Sequence, residues 1–203
     1  MTNWNEMYMN TPPWDVGKPQ PAIVEIIRNY TIMPGRILDV GCGTGSNAIF
    51  LAKNGFSVEG IDTALRALRL AQKKATKQNV KVHFRVGNAL ELQHQFERGE
   101  FDAVIDSGLF HTFTDTERVL YIKQVAQVLR TGGAYIMLCF SEKEQSKGGP
   151  RRVTKNEIKQ SLMTQFRIQY IRETRFSSRI HKNGAHAYIT YATKIPLNTY
   201  DAI

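Results

Sequence analysis

Residues 38–45 read Leu-Asp-Val-Gly-Cys-Gly-Thr-Gly, with glycines at 41, 43 and 45 just beyond an acid, Asp39. Glycines let the backbone turn tightly and let a ligand approach the main chain. A dinucleotide fingerprint G-x-G-x-x-G would need glycine where Ser46 stands, and no G-x-x-x-x-G-K-[ST] run exists. A carboxylate at Asp39 would repel a phosphate and favour a cationic ligand. Asp62, in Glu59-Gly-Ile-Asp62, can accept two hydrogen bonds from ribose hydroxyls, or it can cap the helix that follows. The amide of Asn88, in Gly87-Asn-Ala89, can meet the edge of an adenine, and Asp106-Ser107 can hold an ammonium. Beyond them, His111 is the best placed of five histidines to act as a general base, or it is a loop residue that shapes a pocket. Arg151 and Arg152 can attract an anionic acceptor, or are solvated charge before a helix.

The elements that must carry these residues follow from pattern. The first 20 residues are rich in Pro, Asn and Trp and read as irregular. A helix is predicted over 22–30, with Ile23, Ile26 and Ile27 on one face, then a turn at Pro34-Gly35. Strands are predicted at 36–40, 56–61, 80–86, 101–106 and 134–140. Helices are predicted at 47–54 (ended by Gly55), 64–78 (capped by Thr63) and 115–130, the last closed by Thr131-Gly-Gly133. Thr114-Asp-Thr-Glu117 and Thr154-Lys-Asn-Glu157 are capping boxes, the second opening a helix near 155–164. Strands at 166–175 and 186–195 have no helix between them and imply an antiparallel terminal pair. The alternation implies an α/β fold, a doubly wound, mostly parallel sheet with ligands past the carboxyl ends of its strands.

The set L-D-V-G-C-G-T-G, G-I-D, G-N-A and F-D-A-V-I-D-S resembles the class I S-adenosylmethionine-dependent methyltransferases over residues 36–140. The terminal strand pair extends the resemblance to the chain end. It implies a Rossmann-like sheet of seven strands, the last antiparallel, and S-adenosylmethionine as methyl donor. Gly41, Cys42, Gly43, Thr44 and Gly45, with Asp39 behind them, would hold the methionine portion. Asp62 and Thr63 would meet the ribose, Asn88 and Ala89 the adenine, and Asp106 and Ser107 the amino group. Many relatives have Asp where Asn88 stands.

Three further stretches resemble small-molecule methyltransferases of the thiopurine, thiol/halide and heterocyclic-toxin type. They are Pro13-Trp-Asp-Val-Gly-Lys-Pro-Gln-Pro21, Asp106-Ser-Gly-Leu-Phe-His-Thr-Phe113 and Gly148-Gly-Pro-Arg-Arg-Val-Thr154. In that group a Trp-bearing N-terminal segment closes over donor and acceptor. The role passes to Trp14, which could otherwise be a helix-packing aromatic, and Phe110 and His111 would meet the acceptor. The Asn/Asp-Pro-Pro-aromatic tetrad of many base-amino methyltransferases is absent, and two distant cysteines are too few to hold arsenic. Transfer from a sulfonium is an in-line displacement, in which the protein aligns the reactants and excludes water. A thiolate or halide acceptor needs no base, whereas a hydroxyl or ring N–H does.

Composition bounds the rest. The chain has 203 residues, 42% hydrophobic and 22% charged, which suits a single domain with a 1–20 lid. No apolar run is long enough to span a membrane, and the N-terminus lacks a signal-like basic and apolar pattern, so a cytoplasmic protein is expected. Asn29-Tyr-Thr31 matches a glycosylation sequon but is discounted for that reason. Cys42 reads as a small loop residue, Cys139 as a core one, and His181 and His186 as structural. No disulfide framework or metal motif is present. Of the +9 net charge, residues 143–182 supply +8, from 11 basic and 3 acidic residues. That segment is either a solvated face or an anion-attracting surface. An RNA methyltransferase using it, or a silent cofactor-binding protein, are therefore the alternatives to an enzyme with a small-molecule acceptor. The oligomeric state is left open.

Overall fold

The alternation of strands and helices builds the sheet it implies. The computed structural model describes residues 3–29 and 35–196. Its strands are β1 (Arg36–Val40), β2 (Ser57–Asp62), β3 (His83–Val86), β4 (Phe101–Ser107), β5 (Leu129–Phe140), β6 (Phe166–Phe176) and β7 (Ala185–Lys194). They form one sheet in the order β3-β2-β1-β4-β5-β7-β6. Pairs from β3 through β5 are parallel, and β7 runs antiparallel to both β5 and β6. The chain leaves β1 towards β2 and β3, then returns to place β4 on the other side of β1. This reversal opens a crevice past the carboxyl ends of β1 and β4. Val40 pairs with both Ile61 and Asp106, so β1, β2 and β4 end level.

The helices are α1 (Trp4–Met7), α2 (Pro21–Asn29), α3 (Ser46–Lys53), α4 (Leu65–Lys77), α5 (Asp115–Val128) and α6 (Lys155–Leu162). The two-residue period of the strands sends alternate side chains to opposite faces. Leu38, Val104 and Met137 pack with Tyr121 and Val125 of α5 and Ile158 and Leu162 of α6. Ile37, Ala103, Ile105 and Ile136 pack with Ile23 and Ile26 of α2 and Ala48 and Leu51 of α3. Strands buried on both faces explain the apolar centres of β1, β4 and β5, Ile37-Leu38, Ala103-Val-Ile105 and Ala134–Phe140.

The structure departs from the sequence pattern in five places. The N-terminal segment holds a short helix, α1, capped by the Asn3 side chain. Thr63 does not cap α4; Ala64 is its N-cap, and the Asp62 carboxylate takes the Ala64 N–H at 2.8 Å. β3 is shorter than predicted, beginning at His83. Asn88 caps a 3₁₀ turn over Ala89–His94 that the pattern does not signal. α5 stops at Val128, because β5 begins at Leu129 and carries Gly132-Gly133 within it as an irregularity opposite Phe101–Ala103. Tyr30, Thr31 and Pro34, expected in a helix end, a sequon and a turn, lie outside the described residues.

Both capping boxes form reciprocally, Thr114 with Glu117 and Thr154 with Glu157. Thr114→Ala should lower stability by about 1 kcal/mol, read as a shifted urea midpoint at unchanged slope. An unmoved midpoint would show that α5 starts without its cap.

Candidate active site

Three carboxyls converge at the level ends of β1, β2 and β4. Asp39 is fully enclosed: its Oδ2 accepts from Ala48 N–H at 3.1 Å, and its Oδ1 has no partner. Burial pushes its pKa up to about 8. Asp62 accepts from Gly43 N–H through Oδ2 and from Ala64 N–H through Oδ1, each at 2.8 Å. Burial raises its pKa as well. Asp62 thereby ties the glycine loop to the start of α4 while facing the open crevice. Gly43 has a φ of +53°, and a Cβ there would meet the Tyr8 hydroxyl at 2.7 Å. At Gly45, with φ +73°, a Cβ would collide with Phe84 and Ala71. Gly45 thus serves packing behind the loop, whereas Gly41, Cys42, Gly43 and Thr44 line a cavity. Lys74 of α4 donates to Thr44 Oγ1 at 2.5 Å and Ser46 Oγ at 3.3 Å.

Asp106 does not face this cavity, contrary to its expected place beside an amino group. Its oxygens accept from Leu109 N–H (2.8 Å), Phe110 N–H (3.1 Å), Tyr121 Oη (2.9 Å) and Tyr135 Oη (3.2 Å). Two tyrosines and a turn converge on it, so Asp106 organises residues 107–112 from beneath. Burial raises its pKa to about 6. Phe110 is also turned inward, fully buried, with the Arg118 guanidinium 4.7 Å from its ring centre. It cannot touch an acceptor. Ser107, Leu109 and His111 from the same turn do line the cavity.

His111 is held in one protonation state. Phe140 N–H donates to its Nδ1 at 2.9 Å, so the ring proton must sit on Nε2. Burial, then the nearby Arg118 and Arg152 guanidinium groups, push its pKa down to about 3. The one basic lone pair is spent on the backbone. His111 can donate a hydrogen bond, but it is not placed to be the general base. Arg152 is likewise turned inward: it donates to the carbonyls of Glu144, Ser146, Gly148 and Pro150 and covers the Phe140 ring. Arg151 stands at the cavity margin, paired with Asp115 and Glu157.

The N-terminal segment lies over the loop as a strap. Trp14 Nε1–H donates to Tyr8 Oη at 3.0 Å, and Trp4 packs edge-on against Trp14 at 5.9 Å. Burial pushes the Tyr8 phenol up. The strap is fastened along its length. Asn5 accepts from Arg66 N–H, and Pro13 O accepts from Arg179 N–H at 2.7 Å. Gln20 exchanges two hydrogen bonds with the Ser177 backbone at 2.8 and 3.0 Å.

The cavity it closes has a volume of about 970 Å³, at the top of the usual range for small-ligand sites. It is lined by the glycine loop, Asp62, Thr63, Asn88 and Ala89, with Tyr8 and Trp14 over that loop, and by an aromatic cluster in which the rings of His111, Phe176 and His181 pack around Phe140; Phe113 lines it as well. Asn88 Oδ1 accepts from Leu90 N–H, which leaves the amide N–H₂ as the group offered to a ligand edge. Sequence reasoning missed Tyr8, Lys74, Phe140, Phe176 and Ser146, and His181, expected to be structural, lines the cavity. Phe140 at the carboxyl end of β5 was the one with a signal, since that strand end faces the crevice. Among the described residues, no group of three or more His, Cys, Asp or Glu could hold a metal ion, and no helix is long and apolar enough to cross a membrane.

Residues 37–133 match a family model described as a methyltransferase domain. The chain is 30% identical over 176 residues to a 2-heptyl-1-hydroxyquinolin-4(1H)-one methyltransferase of Mycobacteroides abscessus, covering 85% of this chain and 74% of that protein. It is 31% identical over 152 residues to a probable thiol methyltransferase of Arabidopsis thaliana, covering 74% and 66%. Among solved structures, one concerns conversion of a disulfide bond into a thioacetal group during echinomycin biosynthesis. It superposes with a TM-score of 0.84 at 27% identity, covering 98% of this chain and 94% of that one.

The folded, ligand-free protein holds protons on Asp39, Asp62 and Asp106 more tightly than the unfolded chain does. It therefore binds more protons than the unfolded chain up to about pH 8, the value of Asp39, and stability must fall as pH rises through that window. His111 acts in the opposite sense only below its ordinary value of 6.5. Tm should thus drop by roughly 5 °C across the interval from 6.5 to 8, and Asp39→Asn should flatten the slope. A Tm that climbs over that interval would mean the carboxyls are ionised in the fold.

Proposed function

We propose, from the premise that this chain belongs to the class I S-adenosylmethionine-dependent methyltransferases, that its acceptor is a small aromatic or heterocyclic molecule presenting a sulfur, oxygen or nitrogen nucleophile. The observation that carries the proposal is the strapped cavity. Its glycine-loop wall is polar and backbone-rich, and the wall built by His111, Phe140, Phe176 and His181 is aromatic. A cavity closed over by Trp14 and tied down through Pro13 and Gln20 suits a molecule that can be enclosed. The relatives named for a hydroxyquinolone and for a thiol agree with that size and chemistry.

The site's own residues suit a cationic donor. Asp39 Oδ1 is a buried, unpartnered carboxylate oxygen behind the loop, and the space above Gly43 is too close for a side chain. S-adenosylmethionine bound there would supply a sulfonium methyl group open to in-line attack by a nucleophile, with the thioether sulfur as leaving group. Gly41 to Thr44 and Asp39 would receive its charged methionine end, Asp62 and Thr63 its ribose, and Asn88 and Ala89 its base. Asp39 behind the loop and Asp62 at the cavity, neither with an ion-pair partner, favour a positive ligand. The strap and the aromatic wall exclude water, which removes a competing nucleophile and strengthens every electrostatic contact inside. His111 Nε2–H and Ser107 are the donors that would orient an acceptor. Halide remains within the same chemistry, since it needs no base.

Four of the eleven basic residues of the 143–182 segment are engaged internally, which weighs against an RNA acceptor. Arg152 holds four backbone carbonyls, Arg151 pairs with two carboxylates, Lys143 pairs with Glu173, and Arg172 pairs with Glu25.

Methyl-labelled S-adenosylmethionine incubated with the protein and total cell extract should label the small-molecule fraction. Label in RNA would reassign the basic segment, and confirmed donor binding without transfer would point to a silent binder. Asp62→Ala should weaken donor binding by about 100-fold, the worth of two hydrogen bonds to a charged group, with the fold kept by circular dichroism. Unchanged affinity would refute the ribose assignment.

A further inference from the structure

We propose that Ser146 and His181 form a proton relay on the acceptor side of the cavity, through which a protonated acceptor is activated. The proposal rests on the small-molecule reading above. It answers a gap in the chemistry: a hydroxyl acceptor must lose a proton, and His111 has no lone pair to take it.

Both side chains line the cavity. His181 Nε2 lies 3.1 Å from Ser146 Oγ, and its Nδ1 lies 2.6 Å from Ser178 Oγ. Ser178 Oγ also accepts the His181 backbone N–H at 3.2 Å, so the ring and its own main chain grip one hydroxyl. The ring is thereby fixed with Nε2 towards Ser146. Nδ1–H can donate to Ser178 while Nε2 accepts the Ser146 hydroxyl proton. Arg152 Nη2–H donates to Ser146 Oγ at 3.2 Å and supports negative charge there in transit. Glu144 Oε1 lies 3.8 Å from His181 Nε2, a counter-charge for the imidazolium that forms. Glu144 is itself held in place by the N–H groups of His186 and Ser146 at 2.7 and 2.8 Å. These are the charged groups that face the ring.

The balance is simple. The acceptor X–H bond breaks as Ser146 Oγ takes that proton, and the Ser146 O–H bond breaks as its proton passes to Nε2. The pair left on X becomes the X–CH₃ bond, and the C–S pair departs with sulfur. His181 keeps 17% of its side chain exposed, enough to return its proton to water.

The test compares 6-hydroxyquinoline, whose hydroxyl is protonated at neutral pH, with thiophenol, already a thiolate. Ser146→Ala and His181→Asn should each shift the ratio of kcat on the two acceptors by roughly 100-fold against the hydroxyl, with KM moved far less. Ser146→Thr, which keeps the hydroxyl, should restore the ratio. Ser146→Ala should also move the His181 ring-nitrogen signals in NMR of the ligand-free protein. Equal losses on both acceptors, or no loss on the hydroxyl, would overturn the relay while leaving the small-molecule reading intact. Wild-type protein that methylates no small acceptor and labels a macromolecule instead would overturn both.

Discussion

Three carboxyls at adjacent strand ends, with no basic side chain paired to them, are the constraint on which this site depends. Asp39, Asp62 and Asp106 end three adjacent strands, and among the described residues none of them has an ion-pair partner. Their hydrogen bonds come from the backbone and from tyrosines: Ala48, Gly43, Ala64, Leu109, Phe110, Tyr121 and Tyr135. Such bonds hold the loops that follow each strand without cancelling the charge. Burying a charge without a counter-ion is unfavourable, and the molecule answers by holding protons or by receiving a cation. A positively charged methyl donor is the ligand that such a crevice suits.

The second device is closure. The strap is secured to the 177–184 loop through Pro13–Arg179 and Gln20–Ser177, to α4 through Asn5–Arg66, and to the glycine loop through the contact of Tyr8 with Gly43. The strap therefore links the glycine loop, α4 and the 177–184 loop to one another. The aromatic wall holds the inward-turned Arg152, whose guanidinium folds residues 144–150 into shape and so presents Ser146 and Arg151 to the cavity. In a basic stretch that suggests a nucleic-acid surface from its charge alone, Lys143, Arg151, Arg152 and Arg172 are engaged with the protein's own carboxylates and carbonyls.

Much of this was legible before any coordinates. The seven-residue apolar run Ala134–Phe140 located the core of β5, and the shorter apolar centres Ile37-Leu38 and Ala103-Val-Ile105 located β1 and β4, because strands covered on both faces need apolar side chains at their centres. Threonine followed by glutamate three residues later located the starts of α5 and α6, because a capping box is a local hydrogen-bond pattern. The glycines with Asp39, and Asp62 and Asn88 at the next strand ends, were readable because chain order and parallel pairing bring strand ends together.

What the sequence determined by itself was the alternation of strands and helices, the terminal antiparallel pair, and the polar residues at the strands' carboxyl ends, all products of short-range pattern. Tertiary structure alone decided which way those residues face. Asp106 points inward because Tyr121 and Tyr135 arrive from elsewhere in the chain with hydroxyls to donate. His111 loses its basic lone pair to Phe140, 29 residues away. Thr63 does not cap α4, whose N-cap is Ala64 with its N–H on the Asp62 carboxylate, and His181 enters the site because the 177–184 loop folds back against the strap. A side chain's protonation state and direction are set by partners distant in sequence, and no local pattern encodes who those partners will be.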